Sequence, residues 1–236
     1  MILGQKTSRN NSHCKLNLRC DGVNDGTSFV DSSSSGKTID NVSNIVLTKT
    51  AIKKYGSASG YWDGNDAHLG AGGSGGTDYN FGSGDWTVEG WFYLSVLPVS
   101  PTHVYAFFDQ YTTSTNYNIM AFYHNGSNHN LLLKFINSGT LATNTALEIT
   151  LSTDTWFYIA IVRTGNVIKV FKDGIQFGGD VAFTADFPLI LATMNIGVED
   201  RDGYSTYDFK GNIDGYLVHK GAAKYTRNFT PPNRAA

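Results

Sequence analysis

The chain has 236 residues, 41% hydrophobic and 16% charged, with a net charge of −2. That size fits one all-β domain with a real core, and a near-neutral chain without a basic run of five or more residues lacks the electrostatic footprint of a nucleic-acid binder. Low charge combined with 26 Gly, 14 Phe and 13 Tyr suits strands and tight turns rather than amphipathic helices, and no apolar run reaches the length of a membrane-spanning helix.

Residues 1–12 are polar and are expected to form an arm or tether. They lack the apolar centre of a secretory signal, so the expectation is a protein that acts where it is made or leaves the cell by lysis or within a particle, unless a signal has been trimmed. Cys14, Leu16, Leu18 and Cys20 alternate with Lys15, Asn17 and Arg19, the period of a half-buried strand. Both sulfurs then face the core roughly 20 Å apart, too far to bridge, and are expected to be buried free thiols. A serine-rich loop follows at 31–36, a weak strand at 45–47, and a strand at Tyr61-Trp62 leading into Asp63-Gly64-Asn65-Asp66. The glycine-rich stretch 71–76 lacks the Lys-Ser/Thr pair of a phosphate cradle.

Over 86–94 one strand face carries Trp86, Val88, Phe92 and Leu94, and the other carries Thr87, Glu89, Trp91 and Tyr93. A sandwich core needs only one face. Trp91 and Tyr93 are therefore surplus, and the favoured expectation is that the chain's own loops cover them; a binding face or a subunit interface are the alternatives. Strands are predicted at 104–108, 119–123 and 131–136, with Asn125-Gly126 as the hairpin signal between the last two. A further hairpin joins 156–163 to 167–172, and Asp173-Gly174 supplies the next turn. Frequent strands without helices or a fixed repeat predict an antiparallel sandwich. Four Asn-x-Ser/Thr triplets, at Asn10, Asn41, Asn125 and Asn228, are expected to be unmodified.

Four ordered blocks carry a resemblance to a known family. They are Lys54 to Gly64 (KYGSASGYWDG), Asp85 to Tyr93 (DWTVEGWFY), Thr155 to Arg163 (TWFYIAIVR) with its partner 167–174, and the run from Asn195-Ile196-Gly197 through Phe209-x-Gly211-x-Ile213-Asp214 to Tyr225-Thr226-x-x-Phe229-Thr230-Pro231-Pro232. Together they resemble laminin G-like domains of the concanavalin A-like jelly-roll superfamily. The resemblance implies an all-β antiparallel sandwich over 13–236. It also implies a candidate structural calcium at Asp63, Asp66 and Asp214, although Asp63 and Asp214 could equally cap turn amides. The Phe29-Val30-Asp31-Ser32-Ser33 loop and the terminal Phe-Thr-Pro-Pro further resemble bacteriophage structural and tail-associated proteins.

Polysaccharide-cleaving members of the superfamily cluster acidic residues on one strand. Here the only glutamates are Glu89, Glu148 and Glu199, and no two share a predicted strand; a catalytic pair needs about 5–9.5 Å between carboxyl groups. No Gly-x-Ser-x-Gly elbow is present. His124 and His129 are expected to be solvated loop residues rather than zinc ligands. A second candidate for calcium, which wants six to eight oxygens, is the acidic loop Glu199, Asp200 and Asp202. Flat aromatic faces beside amides suit sugars: Tyr111, Tyr117, Asn125, Tyr204 and Tyr207 are the candidate glycan-binding residues, and the same residue types also make adaptable protein-binding surfaces.

The expected function is a non-catalytic, virion-associated or extracellular binding protein that adheres to glycans or cell-surface polysaccharide, with calcium ordering the rim. The alternative is a structural particle or appendage subunit that contacts other virion proteins or forms a homo-oligomer. A polysaccharide hydrolase or lyase is the minor alternative.

Overall fold

The apolar/polar alternation along the chain resolves into two antiparallel sheets. The computed structural model describes residues 12–72, 77–101, 103–199 and 208–233, which contain fifteen strands and no helix. The first sheet runs β13 (Ile175–Ala182), β12 (Val167–Lys172), β11 (Trp156–Thr164), β6 (Trp86–Leu94), β15 (Lys210–Lys220), β4 (Ser59–Asp63), β3 (Leu47–Lys49). β1 (Cys14–Leu18) joins it by pairing with β15. The second sheet runs β10 (Thr140–Glu148), β9 (His129–Asn137), β8 (Asn116–His124), β7 (Val104–Thr113), β14 (Met194–Ile196), β5 (His68–Ala71), β2 (Ile39–Val42). This is an all-β sandwich, as expected.

The predicted faces hold. Trp86, Val88, Phe92 and Leu94 point between the sheets, where Phe92 meets Phe107 and Phe122 with ring centroids 5.0 and 5.4 Å apart. Burying each such side chain contributes about 1.5–3 kcal/mol. Two polar handles tie the layers together. Trp62 of β4 donates its indole N–H to the Ile196 carbonyl of β14 at 3.0 Å, and Tyr216 of β15 donates its hydroxyl to the Phe107 carbonyl of β7 at 2.8 Å. Both groups are buried, so an unmade bond would leave a costly orphan.

β15 meets β6 through a bulge: Asp214 lies opposite Trp91, but the next pair is Leu217 with Glu89. The one extra residue on β15 is accommodated by Gly215 at φ +57, a region that glycine enters without a Cβ clash. The bulge places Asp214 beside Trp91 while Tyr216 still points into the core.

Several strands differ from the expectation. The first ends at Leu18, with a register shift between Cys14 and Leu16, and Cys20 follows it at φ 56. Both cysteines are buried and free, as expected. β2, β5, β10, β13 and β14 carry no clean hydrophobic alternation and escape a reading by period alone.

Candidate functional site

The outer face of the first sheet carries a second apolar layer. Trp91, Tyr158, Ala160, Val162 and Phe171 pack there, away from the main core. Residues 221–233 cross this face and cover it. Tyr225 and Phe229 stack with centroids 3.5 Å apart, and Phe229 lies edge-on to Phe171 and Tyr158. The segment is pinned by backbone and side-chain bonds: Phe229 N–H to the Gly174 carbonyl, Gln176 N–H to Asn228 Oδ1, and Lys224 N–H to Thr87 Oγ1. Of the two surplus aromatics, Trp91 is thus covered by the chain's own segment, whereas Tyr93 stays half-buried, packed on Trp156 at 5.5 Å and donating its hydroxyl to Asp154.

Glu89 sits beneath this cover at 1% exposure. Its carboxylate accepts the Tyr158 hydroxyl at 2.7 Å, lies 3.3 Å from His219 Nε2, and pairs with the Lys224 ammonium. Burial pushes its pKa up, but His219 and Lys224 outweigh that and hold it down to about 2. Glu89 is thereby a permanently charged anchor for the covering segment. A general acid would need a pKa near working pH, and this site provides the reverse.

Beside the anchor a pocket of about 420 Å³ opens between the sheet face and the end of the covering segment. Lys54, Tyr55, Trp91, Asp173, Pro231, Pro232 and Asn233 line it. Lys54 Nζ stands 3.7 Å above the centre of the Trp91 ring, a cation–π contact. No carboxylate of the described residues lies within ion-pair distance of that ammonium. Tyr55 meets Trp91 edge-on at 6.0 Å and donates its hydroxyl to the Pro232 carbonyl. Trp91 is 8% exposed and its indole N–H has no hydrogen-bond acceptor. Burial first, then the Asp214 carboxylate, raise the Tyr55 phenol to about 12; the nearby Trp91 N–H opposes this without reaching hydrogen-bond geometry. Asp173 is occupied: one oxygen accepts the Tyr158 N–H and the other pairs with Lys172.

The loop that carries Lys54 and Tyr55 is set by Asp214. Its Oδ2 accepts both backbone N–H groups, each at 2.9 Å, and the residue is 0% exposed. Burial raises this carboxyl to about 6 against the pull of those amides. This corrects the calcium expectation. Lys210 pairs with Asp63 and Ile213 with Gly60, so Asp214 lies four residues beyond the partner of Asp63, roughly 13 Å along the strand. Asp63 and Asp66 stay together at the turn after β4, where Asp63 accepts the Asn65 N–H. Their near neighbour is Asp208, which accepts the Asp66 N–H and is raised to about 6 by burial and then by the charges of Asp66 and Asp63. Among the described residues no group of three or more His, Cys, Asp or Glu side chains is arranged to hold a metal, and the predicted trio does not fit calcium. Glu199 is buried just after β14; Asp200 and Asp202 lie outside the described residues.

Tyr111 and Tyr117 meet on the outer face of the second sheet, with centroids 6.2 Å apart and Lys134 Nζ 5.4 Å from the Tyr117 ring centre. Tyr117 is 2% exposed, so its ring offers no stacking face as the chain stands. Asn125 is exposed at the β8–β9 hairpin, where its side chain accepts the Ser127 and Asn128 N–H groups. Tyr204 and Tyr207 lie outside the described residues. His124 and His129 touch edge-on at 5.1 Å, but His124 accepts the Gly126 N–H and His129 contacts the Pro98 carbonyl. Sequence reasoning missed Lys54, Asp173 and Asn233 as pocket residues; the surplus Trp91 was the available signal.

The family model for laminin G-type domains, described as the concanavalin A-like lectin/glucanases superfamily, matches residues 63–224. The chain belongs to this superfamily. Solved structures share its fold at low identity. Domain 4 of AbnA, a GH43 extracellular arabinanase from Geobacillus stearothermophilus in complex with arabinotriose, is 19% identical with a TM-score of 0.64, over 89% of this chain and 94% of that one. The binding domain of Paraclostridial Mosquitocidal Protein 1 is 11% identical with a TM-score of 0.66, over 94% of this chain and 51% of that one. The binding domain of Botulinum Neurotoxin DC in complex with SialylT is 12% identical with a TM-score of 0.60, over 89% and 48%. The lectin-like chain thus spans nearly all of the arabinanase domain and about half of the toxin binding domains. No curated protein matches it.

Proposed function

We propose that this lectin-like domain is a non-catalytic glycan-binding module whose ligand enters the pocket between the outer face of the first sheet and residues 231–233. The pocket carries the reading: an indole and a phenol supply apolar surface, while Lys54 and Asn233 supply donors for hydroxyl or acidic oxygens. Such a mixture of apolar walls and few polar groups is what small-ligand sites use. The similar domains support it, since one is described in complex with arabinotriose and another with SialylT. The non-catalytic reading is supported by Glu89, locked beneath the covering segment, by Glu148, exposed on β10, and by Glu199, buried after β14: among the described residues no two glutamates share a strand.

The finer reading is an adhesin carried on a virion or released outside the cell; the phage-like Phe29 to Ser33 loop and terminal Phe-Thr-Pro-Pro motivate it, and mass spectrometry of purified particles tests it. The glycan reading is tested by an array that includes bacterial surface polysaccharides, with Tyr55→Ala and Tyr111→Ala run beside the parent. Binding lost only in Tyr55→Ala is the expected result. Binding lost only in Tyr111→Ala would place the site on the second sheet, and silence of folded parent protein would overturn the reading.

A further inference from the structure

The geometry points to an anionic saccharide as the ligand of this pocket, its acidic group held by Lys54; this rests on the glycan-binding reading above. Two observations carry it. The Lys54 ammonium is fixed over the Trp91 ring at 3.7 Å with no carboxylate partner among the described residues. Lys53, Lys134, Lys210 and Lys220 likewise show no carboxylate pair among the described residues, but Lys54 is the one lysine in the pocket lining. Asp173, the one acidic side chain in the lining, has both oxygens engaged by the Tyr158 amide and Lys172, and the Lys172 ammonium offsets its charge.

A neutral sugar would use the tyrosine and proline walls but leave the ammonium without a counter-charge. The ammonium holds a carboxylate or sulfate oxygen, and charge-assisted bonds are about twice as strong as neutral ones. Pro231 and Pro232 then face the ring carbons. Lys54 reaches the site because its own backbone N–H is tied to Asp214, so the side chain can be exchanged without loosening the loop.

The test is isothermal titration with three oligosaccharides of equal length: an oligogalacturonate, its methyl ester, and a sulfated galactan fragment. The parent is expected to bind the oligogalacturonate or the sulfated fragment at least about tenfold more tightly than the methyl ester, as a charged hydrogen bond allows. The preference is expected to vanish in Lys54→Met, return in Lys54→Arg, and weaken with added salt. Preference for the carboxylate or for the sulfate identifies which acid is recognised. Equal binding of acid and ester, unchanged in Lys54→Met but lost in Tyr55→Ala, would overturn the inference while leaving the glycan reading intact. No binding of any of the three, in protein that also fails on the glycan array, would overturn both.

Discussion

Replacing Glu89 by Gln tests whether this carboxylate is an anchor or a reactive group. The substitution keeps the shape and the acceptor for Tyr158 but removes the charge that pairs with Lys224 and His219. The Glu89 carboxyl falls from an ordinary 4.5 to about 2 on folding, and a depression of that size is worth about 3 kcal/mol at pH 7. Because the folded pKa is depressed, this stability is fully present above about pH 4.5 and is lost as pH falls toward 2. Urea unfolding at pH 7 should therefore show Glu89→Gln less stable by about 2–3 kcal/mol. The gap should close progressively between pH 4.5 and pH 2. The covering segment should also become a protease target before the sandwich unfolds, since Lys224 belongs to it. Equal stability at pH 7, or a gap independent of pH, would refute the ion-pair account. Polysaccharide turnover by the parent that vanishes in Glu89→Gln would refute the non-catalytic one.

Three other outcomes follow from the same geometry. Asp214 is raised to about 6 in the folded state, so its contribution runs the opposite way: the folded protein loses up to about 3 kcal/mol as pH climbs from about 4 through 6. In Asp214→Asn that dependence should disappear, seen as a flatter melting temperature between pH 4 and 7; and because the side chain is fully buried with Oδ2 bound by two amides, the difference between parent and variant should be the same with calcium or with chelator. Gly174 stands at φ +80, and a Cβ there would lie only 1.9 Å from the Phe229 carbonyl oxygen, so Gly174→Ala should cost at least about 1–3 kcal/mol and release residues 221–233 to limited proteolysis. Trp62→Ala removes a core indole and its bond to the Ile196 carbonyl, and chemical denaturation should show a loss of about 3–5 kcal/mol.

The sandwich was legible because its central strands alternate cleanly. β6 and β11 show Trp86, Val88, Phe92, Phe157, Ile159 and Ile161 facing the core at period two, and the Asn125-Gly126 and Asp173-Gly174 turns sit where hairpins require them. The edge strands were not legible. β13 spans Gly178 and Gly179 and has much exposed surface, and β2 reads Ile-Asp-Asn-Val, so their strand character comes from neighbours rather than from local pattern. The site was half visible. An excess of aromatics on the β6 face announced a covered surface, but its cover lies some 130 residues away in sequence, and no local spacing connects Trp91 with Pro231. Asp214 misled for a physical reason: an Ile-Asp pair near a turn suits a cation and suits two backbone amides equally well, and only strand register separates the two. Tyr117 misled because an aromatic flanked by asparagines looks like a loop residue, whereas it lies within β8 with its ring under Lys134.

The most direct test of the pocket as a glycan site is two-dimensional NMR of the four tryptophan indole N–H signals during titration with a glycan from the array, with the Trp91 signal assigned by its loss in Trp91→Phe. The Trp91 signal should move saturably while those of Trp62 and Trp86, both buried in the core, stay in place. A binding glycan that leaves the Trp91 signal still, and instead shifts backbone amides of β7 and β8, would contradict the account.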